Sequence, residues 1–100
     1  MLAIADLELD PAAYRVTRAR SAIELGTREF ALLELLLRHP GRVFTRAEIV
    51  AEIWRDAPPR TANIVDAYIY RLRAKIDDHS PVKLIQTVRG EGYRVALQSD

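Results

Sequence analysis

Asn63, Ala67, Tyr70 and Ala74 recur at helical spacing and share one face, with Arg71 on one flank and Asp66 and Arg73 on the other. Small residues at the centre of such a face let a helix axis approach the floor of a groove. An alanine methyl meets a thymine methyl, an asparagine amide pairs bidentately with adenine, and an arginine pairs with guanine, so these residue types suit base edges in a DNA major groove. A plain solvated face would carry Glu and Lys in i,i+4 pairs. Taken alone, an alanine-containing solvated helix accounts for this pattern equally well.

Two neighbouring segments add to the pattern. Thr87, Arg89-Gly90-Glu91-Gly92 and Tyr93-Arg94 read as a hairpin whose tip carries Arg89. An arginine on a projecting loop suits a narrow minor groove, and glycines allow the tight turn. An ordinary surface hairpin with one exposed arginine is the alternative. Earlier in the chain, Thr45 and Arg46 stand where a helix begins and free backbone amides favour a phosphate. Simple capping by Thr45 paired with Glu48 explains that segment as well.

The elements that must position these residues follow from periodicity. Residues 4–25 alternate apolar and polar positions around Leu7, Leu9, Tyr14, Val16 and Ile23, which reads as three short antiparallel strands. Residues 28–38 form a helix with Thr27 as N-cap and Phe30, Leu33, Leu36 and Leu37 on its buried face; Pro40-Gly41 stops it. Val43-Phe44 is a very short strand or an extended connector. Residues 46–54 form a second helix opened by the capping box Thr45–Glu48, with Trp54 at its end as a mainly core residue. Pro58-Pro59 excludes regular helix from the loop that follows. Residues 62–77 form the third helix, in which Val65, Ile69, Leu72 and Ile76 make one apolar stripe and Tyr68 packs at its edge. The hairpin spans about 84–95. A helix-turn-helix arrangement with a C-terminal wing results.

Composition is consistent with this reading. The chain has 100 residues, 49% hydrophobic and 29% charged, which suits a single globular domain. Absence of cysteine excludes disulfides, thiolate metal sites and cysteine nucleophiles. No apolar run approaches the roughly 20 residues a membrane span needs, and no signal peptide is evident, so the cytoplasm is the expected location. The net charge of +1 conceals an asymmetry. Residues 60–94 hold 7 Lys/Arg against 4 Asp/Glu, whereas residues 1–59 hold 8 against 9. That balance is a mild pointer to an anionic partner. An enzyme reading finds no support: His39 and His79 lie at the ends of different helices without a triad, and no metal-ligand spacing or cofactor motif is present.

Four segments occurring in order carry a family resemblance: Thr27-Arg28-Glu29-Phe30-Ala31-Leu32-Leu33, His39 to Arg46, Asn63 to Ile76, and Ile85-Gln86-Thr87-Val88-Arg89-Gly90-Glu91-Gly92-Tyr93. Together they resemble the winged-helix output domain of OmpR/PhoB-type bacterial two-component response regulators, over nearly the whole chain. The resemblance implies an α+β fold with an N-terminal four-stranded antiparallel sheet, so the residues before the first helix should hold four strands, the first near 3–9. It implies that Arg71 reads bases, that Arg89 enters the minor groove, that Arg46, Trp54, Thr87 and Tyr93 meet the DNA backbone, and that Arg73 meets the backbone or a base; the residue types themselves add Asn63, Ala67, Tyr70 and Ala74 to the base-reading face and Thr45 to the backbone contacts. It also implies that the loop Arg55, Asp56, Pro58, Pro59 and Arg60 faces RNA polymerase. Such domains bind direct-repeat half-sites as two copies on double-stranded DNA, switched by phosphorylation of a receiver domain. No receiver lies within these 100 residues, so an excised or a stand-alone output domain is expected. Asn63 and Tyr70 stand where many members have Arg or Lys, which alters the expected base pattern. The competing reading is a winged-helix module that binds a protein instead of DNA. Arg71 and Arg89, one on each groove-facing element, favour DNA.

Overall fold

The computed structural model describes residues 1–97. Four short strands, β1 (Leu2–Ile4), β2 (Leu7–Asp10), β3 (Arg15–Arg18) and β4 (Ser21–Ile23), form an antiparallel sheet in sequential order. Three helices follow: α1 (Thr27–Arg38), α2 (Arg46–Ile53) and α3 (Ile64–Ile76). A hairpin of β5 (Ile85–Val88) and β6 (Gly92–Val95) closes the fold as the wing.

The sheet resolves the count of N-terminal strands. The stretch expected as one strand near 3–9 is two, divided by a two-residue turn at Ala5-Asp6 that pairs Ile4 with Leu7. Ala19-Arg20 makes a second such turn, pairing Arg18 with Ser21. Ala5, Ala19 and Arg20 all have positive φ, at 52°, 52° and 67°. Those turns normally advertise themselves with Gly or Asn, because L-residues are strained there by roughly 1–2 kcal/mol. Tyr14 (φ 53°) also leaves the expected strand and sits in the β2–β3 turn, where its ring stacks on Phe30 with centroids 4.1 Å apart.

Helix α1 is central. Phe30, Leu33, Leu36 and Leu37 are buried as expected, but so are Leu32 and Glu29, because the sheet covers one side and α2 and α3 the other. Its N-cap is Gly26 rather than Thr27: the Glu29 carboxylate reaches back to accept from the Gly26 amide at 2.7 Å. In α2 the expected capping box is present. The Thr45 hydroxyl accepts from the Glu48 amide at 3.0 Å and the Glu48 carboxylate accepts from the Thr45 amide at 2.9 Å. Helix α3 starts two residues later than its periodicity implied, since residues 62 and 63 form a tighter turn with bonds from Val65 to Ala62 and from Asp66 to Asn63. Its stripe of Val65, Ile69, Leu72 and Ile76 is buried throughout.

Phe44 makes an isolated bridge to Tyr93, so the α1–α2 connector anchors the wing. The Phe44 amide donates to the Tyr93 carbonyl at 2.8 Å and the Tyr93 amide to the Phe44 carbonyl at 3.0 Å. Gly92 makes this approach possible. A Cβ at its position, where φ is +154°, would lie 1.9 Å from the Phe44 oxygen.

Candidate nucleic-acid interface

The outer face of α3 is open. Asn63, Ala67, Tyr70 and Arg71 are exposed, Tyr70 to 76%, and Ala74 is half-buried. Asn63 occupies the N-cap position, so it precedes the first helical turn and does not lie within the helix. Arg71 extends sideways rather than straight outward: its guanidinium lies 4.8 Å from the centroid of the Tyr68 ring. There it borders a polar pocket shared with Gly26, Thr27, Arg28, Glu29 and Lys75 at the start of α1. Tyr68 in turn meets Trp54 edge-on, at 5.0 Å and 83°. Tyr68, braced edge-on by Trp54, therefore supports Arg71.

At the other flank the structure gathers Arg46, Asp66, Arg73, Thr87 and Tyr93 into one strip. Arg46 donates to Asp66 at 2.8 Å, and the Tyr93 hydroxyl donates to the same carboxylate oxygen. The Arg46 and Arg73 guanidiniums lie 5.8 and 5.7 Å from the Tyr93 ring centroid. Arg73 donates to the Thr87 hydroxyl at 2.6 Å and to the Ile85 carbonyl at 3.2 Å. The strip runs from the start of α2, across α3, to the wing. Two cations and a desolvated phenol converge on it with one carboxylate among them. Arg46 and Thr87 are exposed, while Tyr93 is only 5% exposed.

The electrostatics follow these contacts. The hydrogen bond from Arg46 holds the Asp66 carboxyl below its usual range, against the opposing effect of burial, and Tyr93 adds to the depression. Burial first, then the bond to Asp66, pushes the Tyr93 phenol up, so it remains a donor at neutral pH. The Glu48 carboxyl is held low, chiefly by the Thr45 amide.

The wing tip is the three-residue loop Arg89-Gly90-Glu91, closed by the Glu91 amide donating to the Val88 carbonyl at 2.9 Å. Gly90 has φ +77°, and Arg89 is exposed. Thr45 is exposed at the start of α2, with its hydroxyl engaged in the capping box.

Two residues expected to meet the DNA backbone are buried, Trp54 as its core reading implied. Trp54 is 5% exposed, packed under Tyr68, and Tyr93 is equally buried with its hydroxyl committed to Asp66. Arg73 has its Nε and one Nη engaged by the wing. Asp66 is the member that sequence reasoning left without a role. Its distance of seven residues from Arg73, two helical turns, is the signal that sets them on the same flank of α3.

The loop 55–60 leads into the start of α3 and pairs with other elements. Arg55 bonds Glu52 at 2.8 Å, and Arg28 reaches Asp56 at 3.3 Å. Pro58, Pro59 and Arg60 border an apolar groove of about 370 Å³ with Ala47, Val50 and Trp54. Among the described residues, no helix is long and apolar enough to cross a membrane, and no group of three metal-ligating side chains occurs.

Comparison with known proteins matches this architecture. Residues 20–95 match the family described as transcriptional regulatory protein, C terminal. The chain is 49% identical over 90 residues to the transcriptional regulatory protein TcrA of Mycobacterium tuberculosis, covering 90% of this chain and 36% of TcrA. It spans less than half the length of the curated relatives it matches. Among solved structures, the Klebsiella pneumoniae RstA DNA-binding domain in complex with the RstA box superposes with a TM-score of 0.83 at 28% identity, covering 97% of both chains. The Thermotoga maritima response regulator DrrB, an OmpR/PhoB homologue, gives 0.83 at 30% identity over 94% of this chain and 43% of its own. With its four-stranded N-terminal sheet, three helices and wing, the chain belongs to the OmpR/PhoB-type family of transcriptional regulatory C-terminal domains.

Proposed function

We propose that this chain binds double-stranded DNA sequence-specifically, as the output domain of a bacterial transcriptional response regulator. The observation that carries this reading is the continuous strip from α2 through Asp66 and Arg73 to Thr87, which joins an alanine-centred helix face to an arginine-tipped wing as one surface. The RstA relative, solved on its DNA box, supports it.

In this reading α3 lies in the major groove. Asn63, Ala67, Tyr70, Arg71 and Ala74 meet base edges, and Arg71 supplies the strongest discrimination through a bidentate contact. Arg89 enters the adjacent minor groove, where narrowing at A·T pairs deepens the negative potential. Thr45, Arg46 and Thr87 meet phosphates, with Arg73 holding Thr87, Tyr93 lying beside Arg46, and Trp54 backing Arg71 through Tyr68. Phosphate contacts fix register and base contacts specify sequence. The loop 55–60 and its apolar groove face RNA polymerase, two copies occupy direct-repeat half-sites, and a receiver domain elsewhere in the full-length cytoplasmic regulator switches their affinity.

Selection from a random duplex library, followed by footprinting of the recovered sequence, tests the reading. Two direct repeats about one helical turn apart, protected in the major groove at each repeat and in the minor groove beside it, are expected. No enrichment of any duplex would overturn it and turn attention to a protein partner for the same surface.

A further inference from the structure

Arg18 and Asp77 form an ion pair buried at both ends, 5% and 2% exposed, with Asp77 one helical turn beyond Arg73 of the DNA-facing strip. Arg18 ends β3. Its Nε donates to Asp6 at 2.6 Å, one Nη to the Ile76 carbonyl at 2.7 Å and to Asp77 at 2.9 Å, and the other Nη to the Val82 carbonyl at 2.7 Å. Asp77, the C-cap of α3, accepts from the Leu84 and Ile85 amides at 3.1 and 2.9 Å. The end of α3, the connector 78–83 and the start of β5 therefore converge on one guanidinium–carboxylate pair.

Stability alone does not account for this cluster. A buried ion pair loses much of its Coulombic gain to desolvation, and apolar residues of similar volume commonly hold a fold as well. What apolar packing lacks is direction. Ile85 shows where the direction goes: its amide is held by Asp77 and its carbonyl by Arg73, which continues to Thr87 on the wing. Residue 85 is thus fixed from both sides, by the C-cap of α3 and by its last turn.

We infer that Arg18 and Asp77 are positioning residues for DNA recognition, setting the angle at which the wing leaves α3 so that both reach their grooves together. This rests on the reading of Arg89 as the wing's groove contact. Adjacent grooves present a fixed geometry, and recognition groups must be held within about 0.5 Å and 10–20° to use it. Without the pair, the wing keeps its Phe44 bridge and its bonds to Arg73, but the connector 78–83 loses its anchor at the end of α3, the wing angle widens its range, and binding must then narrow it at a cost in affinity.

The test uses Asp77→Asn and Arg18→Lys, each alone and combined with Arg89→Ala, titrated against one core site with A·T-rich or G·C-rich flanks at a temperature where each is folded. In the wild-type background Arg89→Ala should weaken A·T-flanked binding about tenfold. In the Asp77→Asn background flank preference should already be gone and Arg89→Ala should add nothing, while base preference under α3 persists. A folded Asp77→Asn protein with full flank preference, and an undiminished Arg89→Ala effect, would overturn the inference. If Arg89→Ala is silent in the wild type, the reading of the wing fails, and residual dipolar couplings decide the positioning role separately. Loss of hairpin alignment relative to α3 in Asp77→Asn supports it, and unchanged couplings refute it. Should both variants unfold, hydrogen exchange in the wild type decides: the Leu84 and Ile85 amides must exchange only through global unfolding, and exchange by local opening overturns the inference.

Discussion

Arg73 on α3 donates to the hydroxyl of Thr87 on β5 at 2.6 Å, fastening the helix to the wing. The same guanidinium bonds the Ile85 carbonyl and lies against the Tyr93 ring. An arginine that sequence alone would send to a phosphate thus serves partly as a brace. The proposed two-groove contact depends on such bracing, because a wing free to swing would bind at an entropic cost.

Arg71→Ala should cost about 1–3 kcal/mol on the selected site and relax base preference at the position it meets. Titration of a panel of single-base variants measures both. Unchanged affinity together with an unchanged preference profile would count against the base contact.

Arg89→Ala should weaken binding most where flanking pairs are A·T-rich. Equal losses on A·T and G·C flanks would exclude a minor-groove role and leave Arg89 as a general phosphate contact.

Much of this was legible in the sequence. The stripe Val65–Ile69–Leu72–Ile76 marked the buried side of α3, and so left its outer face as the candidate surface. Thr45 and Glu48 announced the start of α2. Two features were not legible. The tight turn at Ala5-Asp6 lacks the glycine or asparagine that usually reveals positive φ, so β1 and β2 read as one strand. The burial of Tyr93 and its bond to Asp66 arise from tertiary contact between β6 and α3, 27 residues apart, which no local pattern encodes.

Leu72→Ala removes a fully buried side chain from the α3 stripe and should destabilise the fold by about 2–5 kcal/mol. Gly92→Ala should act by another route, separating the wing from Phe44 because the added Cβ meets a backbone oxygen. Denaturant unfolding and amide exchange of Phe44 and Tyr93 distinguish the two. Wild-type unfolding in Leu72→Ala, or native protection at Phe44 in Gly92→Ala, would contradict the packing described.

Acid should weaken the fold through Glu29 and Asp66. Burial raises the Glu29 pKa, but the Lys75 and Gly26 hydrogen bonds outweigh it, and the net shift is downward. Asp66 is lowered chiefly by Arg46. A carboxyl depressed in the folded state contributes fully above its unfolded pKa, about 4, and that contribution fades as pH falls through and below this value. Unfolding midpoints of the wild type should therefore drop more steeply below about pH 5 than those of Glu29→Gln/Asp66→Asn. Parallel curves would show that these two groups do not control the acid limb.

The most direct test of the central claim is a fluorescence-anisotropy titration of duplex DNA at two salt concentrations, with the wild type and the Arg71→Ala/Arg89→Ala double variant. Salt-sensitive binding by the wild type, lost in a double variant that remains folded, is the predicted result. No binding by the wild type even at low salt, or equal binding by the double variant, would contradict recognition of DNA through helix and wing.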